Sequence, residues 1–73
     1  MGKRVIIKIR NLAKENDITL RQLSRITDIR HAALSALVNQ KRQNINFSHI
    51  ERIAESLDID DIRKIIDIED TNE

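Results

Sequence analysis

The stretch that most constrains the fold is residues 19–38, which reads TLRQLSRITDIRHAALSALV. Thr19 and Gln22 have the spacing of a capping box, which satisfies two free backbone donors at a helix start. Asp28 follows where the chain must turn, and Asp tolerates a left-handed backbone better than most residues. Ile29 then offers an apolar side chain to fill the turn. The stretch therefore predicts two short helices joined by a tight turn, residues 20–26 and 30–38.

The second short helix has two distinct faces. Its inward positions carry Ala33, Leu34, Leu37 and Val38, which recur at helical spacing. Its outward positions carry Arg30, His31, Ala32, Ser35 and Ala36. An outward face that is small, polar and basic, on a helix anchored by its neighbour, suits the major groove of DNA.

The remaining periodic segments predict three more helices, so that the chain is expected to be all-α with five helices. The first starts at residue 3 or 4 and ends at residue 15, with Asn16 suited to the left-handed position that follows a helix. The fourth covers residues 47–57, capped by Asn46. Its inner stripe is predicted to be Phe47, Ile50, Ile53, Ala54 and Leu57. The fifth covers residues 60–66, and acidic residues at its start favour a helix N-terminus.

The composition excludes several classes of protein. The 73 residues suffice for one domain, residues 1–73, with residues 1–3 and 69–73 expected to fray. Without cysteine there is no disulfide and no cysteine-based zinc site. No apolar run is long enough to cross a membrane, and the start is too short for a signal peptide. We expect no enzyme activity, cofactor, metal or small-molecule ligand, since no catalytic or ligand-binding constellation occurs.

The net charge of +1 conceals a strong asymmetry along the chain. Residues 1–42 hold ten Lys or Arg and three acids, a net charge of +7, whereas residues 43–73 hold three bases and nine acids, a net charge of −6. A basic half that carries the two short helices would orient the domain on a polyanion. A solvated surface of uneven charge is the alternative interpretation.

The pattern resembles the lambda-repressor-like, Cro-type helix-turn-helix domains of the XRE family. The resemblance lies in ITLRQLSRITDI, AALSALVNQKR and INFSHIERIAESLDI, and it covers residues 9–68. It implies a compact five-helix domain with the helix-turn-helix as helices 2 and 3. The chain departs from the family pattern at Leu20, where Gln is common, and at Asp28, where Gly is usual. Val38 and Gln40 likewise replace the frequent Glu and Gly.

Candidate contact residues follow from the resemblance and from exposure. The base-reading set is Arg30, His31, Ala32, Ser35 and Ala36. The phosphate-binding set is Arg21, Gln22, Arg25, Asn39, Lys41, Arg42 and Asn44, for which binding should depend on salt. The last predicted helix holds more isoleucine than it can bury alone, which suggests a homodimer interface formed by Ile59, Ile62, Ile65, Ile66 and Ile68.

These observations predict a transcriptional regulator that binds double-stranded DNA sequence-specifically. The resemblance implies a bacterial or phage regulator, in the cytoplasm and associated with the nucleoid. Repression by promoter occlusion is the simplest mode, because no effector module is visible. The alternative is a protein-interaction module of the same fold, acting as an adaptor, antirepressor or antitoxin, with weakened DNA binding and a protein partner.

Overall fold

A computed structural model describes residues 2–41 and 44–71 of the chain. Over these residues the fold is mostly helical, with four α-helices, one 3₁₀ turn and a small two-stranded sheet. In chain order the elements are β1 (Gly2–Ile7), α1 (Ile9–Glu15), α2 (Leu20–Thr27), α3 (His31–Val38), α4 (Phe47–Leu57), the 3₁₀ turn (Ile62–Lys64) and β2 (Ile66–Thr71).

The helix-turn-helix unit, α2 and α3 with the turn between them, confirms the prediction from residues 19–38. The Thr19 hydroxyl accepts a hydrogen bond from the Gln22 backbone at 3.1 Å. The Gln22 side chain accepts one from the Thr19 backbone at 2.8 Å, which completes the capping box. Asp28 has a φ of 57°, in the left-handed region, and Ile29 is 2% exposed. The left-handed backbone at Asp28 therefore ends α2, and the buried side chain of Ile29 anchors the turn in the core.

The four α-helices all end in the same way, with a left-handed residue that is not glycine. These residues are Asp17, Asp28, Gln40 and Asp58. After three of them comes an isoleucine whose N–H donates back to the helix and whose side chain packs in or against the core. At the end of α1 this left-handed residue is Asp17, whereas the sequence suggested Asn16, which has a φ of −92°. Asp and Gln thus occupy backbone positions that glycine would adopt at lower steric cost.

The two ends of the chain form an antiparallel sheet, so the prediction of an all-α, five-helix fold is wrong. The predicted first helix is divided into β1 and the shorter α1, and the predicted fifth helix is replaced by the 3₁₀ turn and β2. The run Val5, Ile6, Ile7 is β-branched, which favours a strand where a partner is present. That partner lies 59 to 63 residues away, where Ile68 is aligned with Val5 and Ile66 with Ile7.

The strands also place the charges of the two chain ends opposite each other. Lys3 is aligned with Asp70 and forms an ion pair with it. Arg4 is aligned with Glu69, and its Nε lies 2.6 Å from a Glu69 carboxylate oxygen. Opposite charges across a strand pair are stabilising. Residues 2–3 and 69–71, which were expected to fray, belong to the sheet.

The core is aliphatic and draws on every helix and on the segment before β2. Its buried members are Ile9, Leu12, Leu23, Ile29, Leu34, Val38, Ile53 and Ile65. Phe47, predicted to face inward, is 81% exposed. It is the first residue of α4, and first-turn side chains tilt toward the helix N-terminus, away from the neighbouring helices. The inner stripe of α4 therefore begins at Ile50 rather than at Phe47.

Candidate nucleic-acid interface

The outward face of α3 begins at an exposed and positively charged end. Arg30 precedes the first helical residue with an extended backbone (φ −57°, ψ 137°), and Arg30, His31 and Ala32 are all exposed. Ser35 and Ala36, one turn further along the helix, are half-buried. The first turn of α3 is therefore more exposed than the next turn, and recognition helices contact base edges through their N-terminal residues.

Helix α4 holds the turn before α3 through its polar side chains. The Arg52 guanidinium donates to the Asp28 carbonyl at 3.1 Å, and the Ser56 hydroxyl donates to the Ile26 carbonyl at 3.2 Å. The Ser24 hydroxyl donates to the Ile29 carbonyl at 2.6 Å. The first two bonds satisfy carbonyls that the end of α2 leaves without helical partners, and the third joins α2 to the turn that follows it. Side chains of α2 and α4 therefore hold the turn between α2 and α3.

The C-terminal end of α3 is tied both to its own last turn and to the sheet. The Lys41 N–H donates to the Ala36 carbonyl and the Gln40 N–H donates to the Leu37 carbonyl, each at 3.1 Å. This is the pair of bonds that closes a helix around a left-handed residue. The Gln40 side chain donates to the Val5 carbonyl of β1 at 3.0 Å. Lys41 is therefore presented at a defined position just beyond α3.

A surface groove of about 580 Å³ separates α3 from the start of α4. It brings together predicted base-reading residues and a predicted phosphate contact that are distant in sequence. Its lining is Ala32, Ala33, Ala36, Leu37, Asn44, Ile45, Asn46 and His49. The sequence analysis assigned no role to His49, which is half-buried in this lining.

Four basic residues near the ends of the chain form ion pairs, whereas the other bases among the described residues form none. Those at the chain ends are engaged by acids: Lys3 by Asp70, Arg4 by Glu69, Lys8 by Asp67 and Arg63 by Asp61. Within residues 2–41 and 44–71, no ion pair engages the bases on the helix-turn-helix unit and its flank, which are Arg21, Arg25, Arg30 and Lys41. These four are exposed. The positive charge around α3 is therefore available to an external anion.

The other predicted phosphate contacts occupy different environments. Gln22 is exposed, but its side-chain oxygen is already used in the capping box. The Asn39 side chain accepts a hydrogen bond from Arg10 at 2.9 Å and donates one to Ser35 at 3.3 Å. Asn44 is exposed on the groove lining. Arg42 lies outside the described residues.

Arg10 is a residue of this surface that the sequence analysis did not single out. It is exposed on α1, and its contact with Asn39 joins two positions that are 29 residues apart. Nothing in a single sequence indicates such a contact. The sequence indicates only that Ser35 and Asn39, one helical turn apart, lie near each other.

The predicted dimer residues are unequally accessible. Ile65 is 1% exposed and belongs to the core, so it is not available to a second chain. Ile59 and Ile66 are half-buried and pack against that core. Ile62 and Ile68 are 60% and 62% exposed, and Val5, aligned with Ile68 on the neighbouring strand, is 47% exposed.

The described part of the chain holds neither a metal-binding cluster nor a membrane-spanning helix. No cluster of three or more metal-ligating side chains occurs among those residues. None of the helices there has both the length and the apolar character needed to cross a bilayer.

Comparison with known proteins adds one match that covers most of the chain. A family model described as a Cro/C1-type HTH DNA-binding domain matches residues 8–70. No curated protein and no solved structure matched the chain. The matched range includes all four helices, the 3₁₀ turn and most of β2, and it ends one residue short of the end of that strand.

Proposed function

Because this chain belongs to the family of Cro/C1-type helix-turn-helix DNA-binding domains, we propose that it binds specific sites in duplex DNA and regulates transcription from them. The observation that carries the proposal is the pairing pattern of the basic residues. Lys3, Arg4, Lys8 and Arg63 are neutralised by acids of the chain, whereas Arg21, Arg25, Arg30 and Lys41, on the helix-turn-helix unit and its flank, have no such partner among the described residues. Such a distribution suits contact between the α3 side of the domain and phosphates.

In this proposal α3 enters the major groove with its first turn leading. Arg30 can donate two hydrogen bonds to guanine, and His31 can donate to or accept from one base. Ala32 and Ala36 offer only apolar contact, for example to a thymine methyl group, but their small size permits close approach. Because this face has few strong hydrogen-bonding side chains, part of the sequence discrimination is assigned to DNA shape.

Phosphate contacts on both sides of α3 would set the position of the domain. Arg21 and Arg25 lie on α2, and Lys41 and Asn44 lie in the segment after α3, with Arg42 next to Lys41 in sequence. Each phosphate neutralised on duplex DNA releases counterions, so affinity should fall as salt rises.

Selection of bound duplexes from a random pool tests this function. The expected result is a consistent motif for the wild-type protein and loss of that motif for the double variant Arg30→Ala/His31→Ala. Lys64→Ala, which changes a base on the 3₁₀ turn, serves as the control and should select the wild-type motif. A wild-type pool that stays random after repeated rounds would contradict the proposal.

Repression by promoter occlusion is the proposed mode of regulation. A bound domain would exclude polymerase from an overlapping site without any effector module. In transcription reactions with purified polymerase, placing the selected motif across a promoter should make transcript yield fall as the protein is added. Moving the motif far upstream should remove the effect, and increased yield from the overlapping position would contradict occlusion.

A homodimer is proposed to place two such domains on paired half-sites. The contact would use the exposed apolar residues Val5, Ile62 and Ile68. A dimer in which β1 pairs with β1 of the second copy, or β2 with β2, is disfavoured. The first would bring bases of the two copies together and the second would bring their acids together. Sedimentation should give a dimer for the wild type and a monomer for Ile68→Asp, and the selected motif should be palindromic with half-sites one helical turn apart. A wild-type monomer both free and on DNA would contradict the dimer.

A second candidate function is supported by the exposure of Phe47. This side chain is 81% exposed at the start of α4, next in sequence to groove-lining residues. Aromatic side chains, Phe among them, are enriched at protein–protein interfaces relative to the rest of the surface. An adaptor, antirepressor or antitoxin would use this surface to bind a protein partner. A Phe47→Ser variant that keeps full DNA selection and repression in vitro but loses regulation in cells would favour this function, whereas loss of DNA selection would place Phe47 at the DNA interface instead.

A further inference from the structure

Three polar side chains form a hydrogen-bonded series along α3. Arg10 Nη2 donates to Asn39 Oδ1 at 2.9 Å, and Asn39 Nδ2 donates to Ser35 Oγ at 3.3 Å. The series begins on α1 and ends at a side chain of the outward face of α3. We name these residues the Arg10–Asn39–Ser35 series.

The chemistry of the first member determines the direction of every bond in the series. A guanidinium can only donate hydrogen bonds, so the Asn39 oxygen must face Arg10. The Asn39 nitrogen must then face Ser35, and it too can only donate. Ser35 Oγ therefore acts as the acceptor in this contact, and its own O–H hydrogen is not used by the series.

The hydroxyl hydrogen of Ser35 has no acceptor within the described part of the chain. A helical serine commonly donates to the carbonyl four residues earlier. No such bond from Ser35 to His31 is present among the described residues, although Thr27 on α2 makes one to Leu23 at 2.6 Å. The half-buried Ser35 hydroxyl is thus left with a donor to offer to a partner outside the chain.

We propose that Arg10 and Asn39 are positioning residues that make Ser35 a hydrogen-bond donor to an acceptor on a base edge. This inference rests on the proposed function, because it assumes that α3 lies in the major groove. A serine hydroxyl alone can donate or accept and therefore discriminates poorly between bases. With one of its two lone pairs held by Asn39 and its hydrogen not used by the series, Ser35 favours purine N7, guanine O6 or thymine O4 over cytosine, whose major-groove edge presents only a donor.

The test uses the duplex selected by the wild-type protein, with one acceptor removed at a time. Analogues are 7-deazaguanine and 7-deazaadenine for N7, 6-thioguanine for O6 and 4-thiothymine for O4. At one position the wild type should lose affinity by about three- to tenfold, the effect of one hydrogen bond. Ser35→Ala should bind that analogue and the natural duplex equally. The proposal would be overturned if the wild type and Ser35→Ala lost the same affinity for every analogue. It would also be overturned if the affinity contributed by Ser35 required an exocyclic amino group of a base.

Variants of the other two members separate positioning from direct contact. Arg10→Met should abolish the dependence on the analogue, whereas Arg10→Lys should retain it because an ammonium also donates to Asn39. Asn39→Asp keeps the contact with Arg10 but cannot donate to Ser35. The Ser35 hydroxyl would then donate to the new carboxylate, and the loss of affinity for the analogue should disappear. Asn44→Asp adds the same charge to the same surface and should lower affinity for all duplexes while keeping the dependence.

The outcomes distinguish this inference from the function it rests on. A wild-type protein that selects no duplex contradicts the proposed function itself. A wild-type protein that selects a motif, with Arg10→Met and Asn39→Asp as sensitive to the analogue as the wild type, contradicts only the role of the series. Circular dichroism melting of each variant verifies that the compared proteins are folded.

Discussion

Replacement of Lys41 by alanine should change the salt dependence of DNA binding by a calculable amount. Lys41 is exposed just beyond α3, and it forms no ion pair within residues 2–41 and 44–71. If it contacts one phosphate, its removal should reduce the slope of log K against log salt by about 0.9. Arg21, Arg25 and Lys41 together would contribute a slope of about −2.7 for each domain bound to duplex DNA.

The expected change is large enough to measure by fluorescence anisotropy. Between about 50 mM and 200 mM salt, a slope difference of about 0.9 changes the affinity ratio of two proteins by about 3.5-fold. The Lys41→Ala defect should therefore be about 3.5-fold larger at the lower salt concentration. The control is Lys64→Ala, which removes the same charge from the 3₁₀ turn and should keep the wild-type slope.

Two results would refute this reasoning. A Lys41→Ala slope equal to that of the wild type would mean that Lys41 neutralises no phosphate. An equal reduction in Lys41→Ala and Lys64→Ala would mean that only the net charge of the chain matters, so that the α3 side would have no special role.

Three further predictions concern stability. Because φ is positive at Asp28, Asp28→Gly should raise the free energy of unfolding by up to about 1 kcal/mol and Asp28→Ala should lower it. Chemical denaturation in which both variants change the free energy of unfolding in the same direction would contradict the strain argument. Leu34→Ala should lower the free energy of unfolding by about 3 kcal/mol, because Leu34 is fully buried and its removal leaves a cavity. A decrease below about 1 kcal/mol would contradict this prediction and show that the neighbouring side chains fill the cavity. Hydrogen bonds from Arg63 lower the pKa of Asp61 from 3.8 to about 2, so the stability it adds is present above pH 3.8 and lost as pH falls toward 2; Asp61→Asn should flatten stability over that range, and an NMR titration midpoint near 3.8 would contradict the shift.

Local signals made the helix-turn-helix unit predictable from the sequence. The capping box needs only Thr19 and Gln22, and the turn needs only a residue that tolerates positive φ followed by an apolar one. The caps of α2 and α4 and the inner positions of α3 and α4 were readable because each depends on neighbours within one helical turn. The exception at Phe47 arose because the periodic pattern continues past the point where the core ends.

The sheet was not predictable in the same way because its stabilising contacts are distant in sequence. Val5 and Ile6 fit a helical pattern as well as a strand, and the choice depends on a partner strand at the other end of the chain. The same holds for Arg10, whose contact with Asn39 depends on how α1 packs beside α3. The isoleucines of the last segment were interpreted as too many for one helix to bury, whereas their division between core and surface follows from the sheet.

The central claim is that the first turn of α3 reads DNA sequence, and the ratio of specific to non-specific affinity tests it most directly. Anisotropy titrations with the selected duplex and a scrambled duplex give this ratio for the wild type and for Arg30→Ala/His31→Ala. We predict that the double variant keeps most of its affinity for the scrambled duplex and that its ratio falls at least about tenfold. An unchanged ratio would contradict the assignment of α3 as the recognition helix.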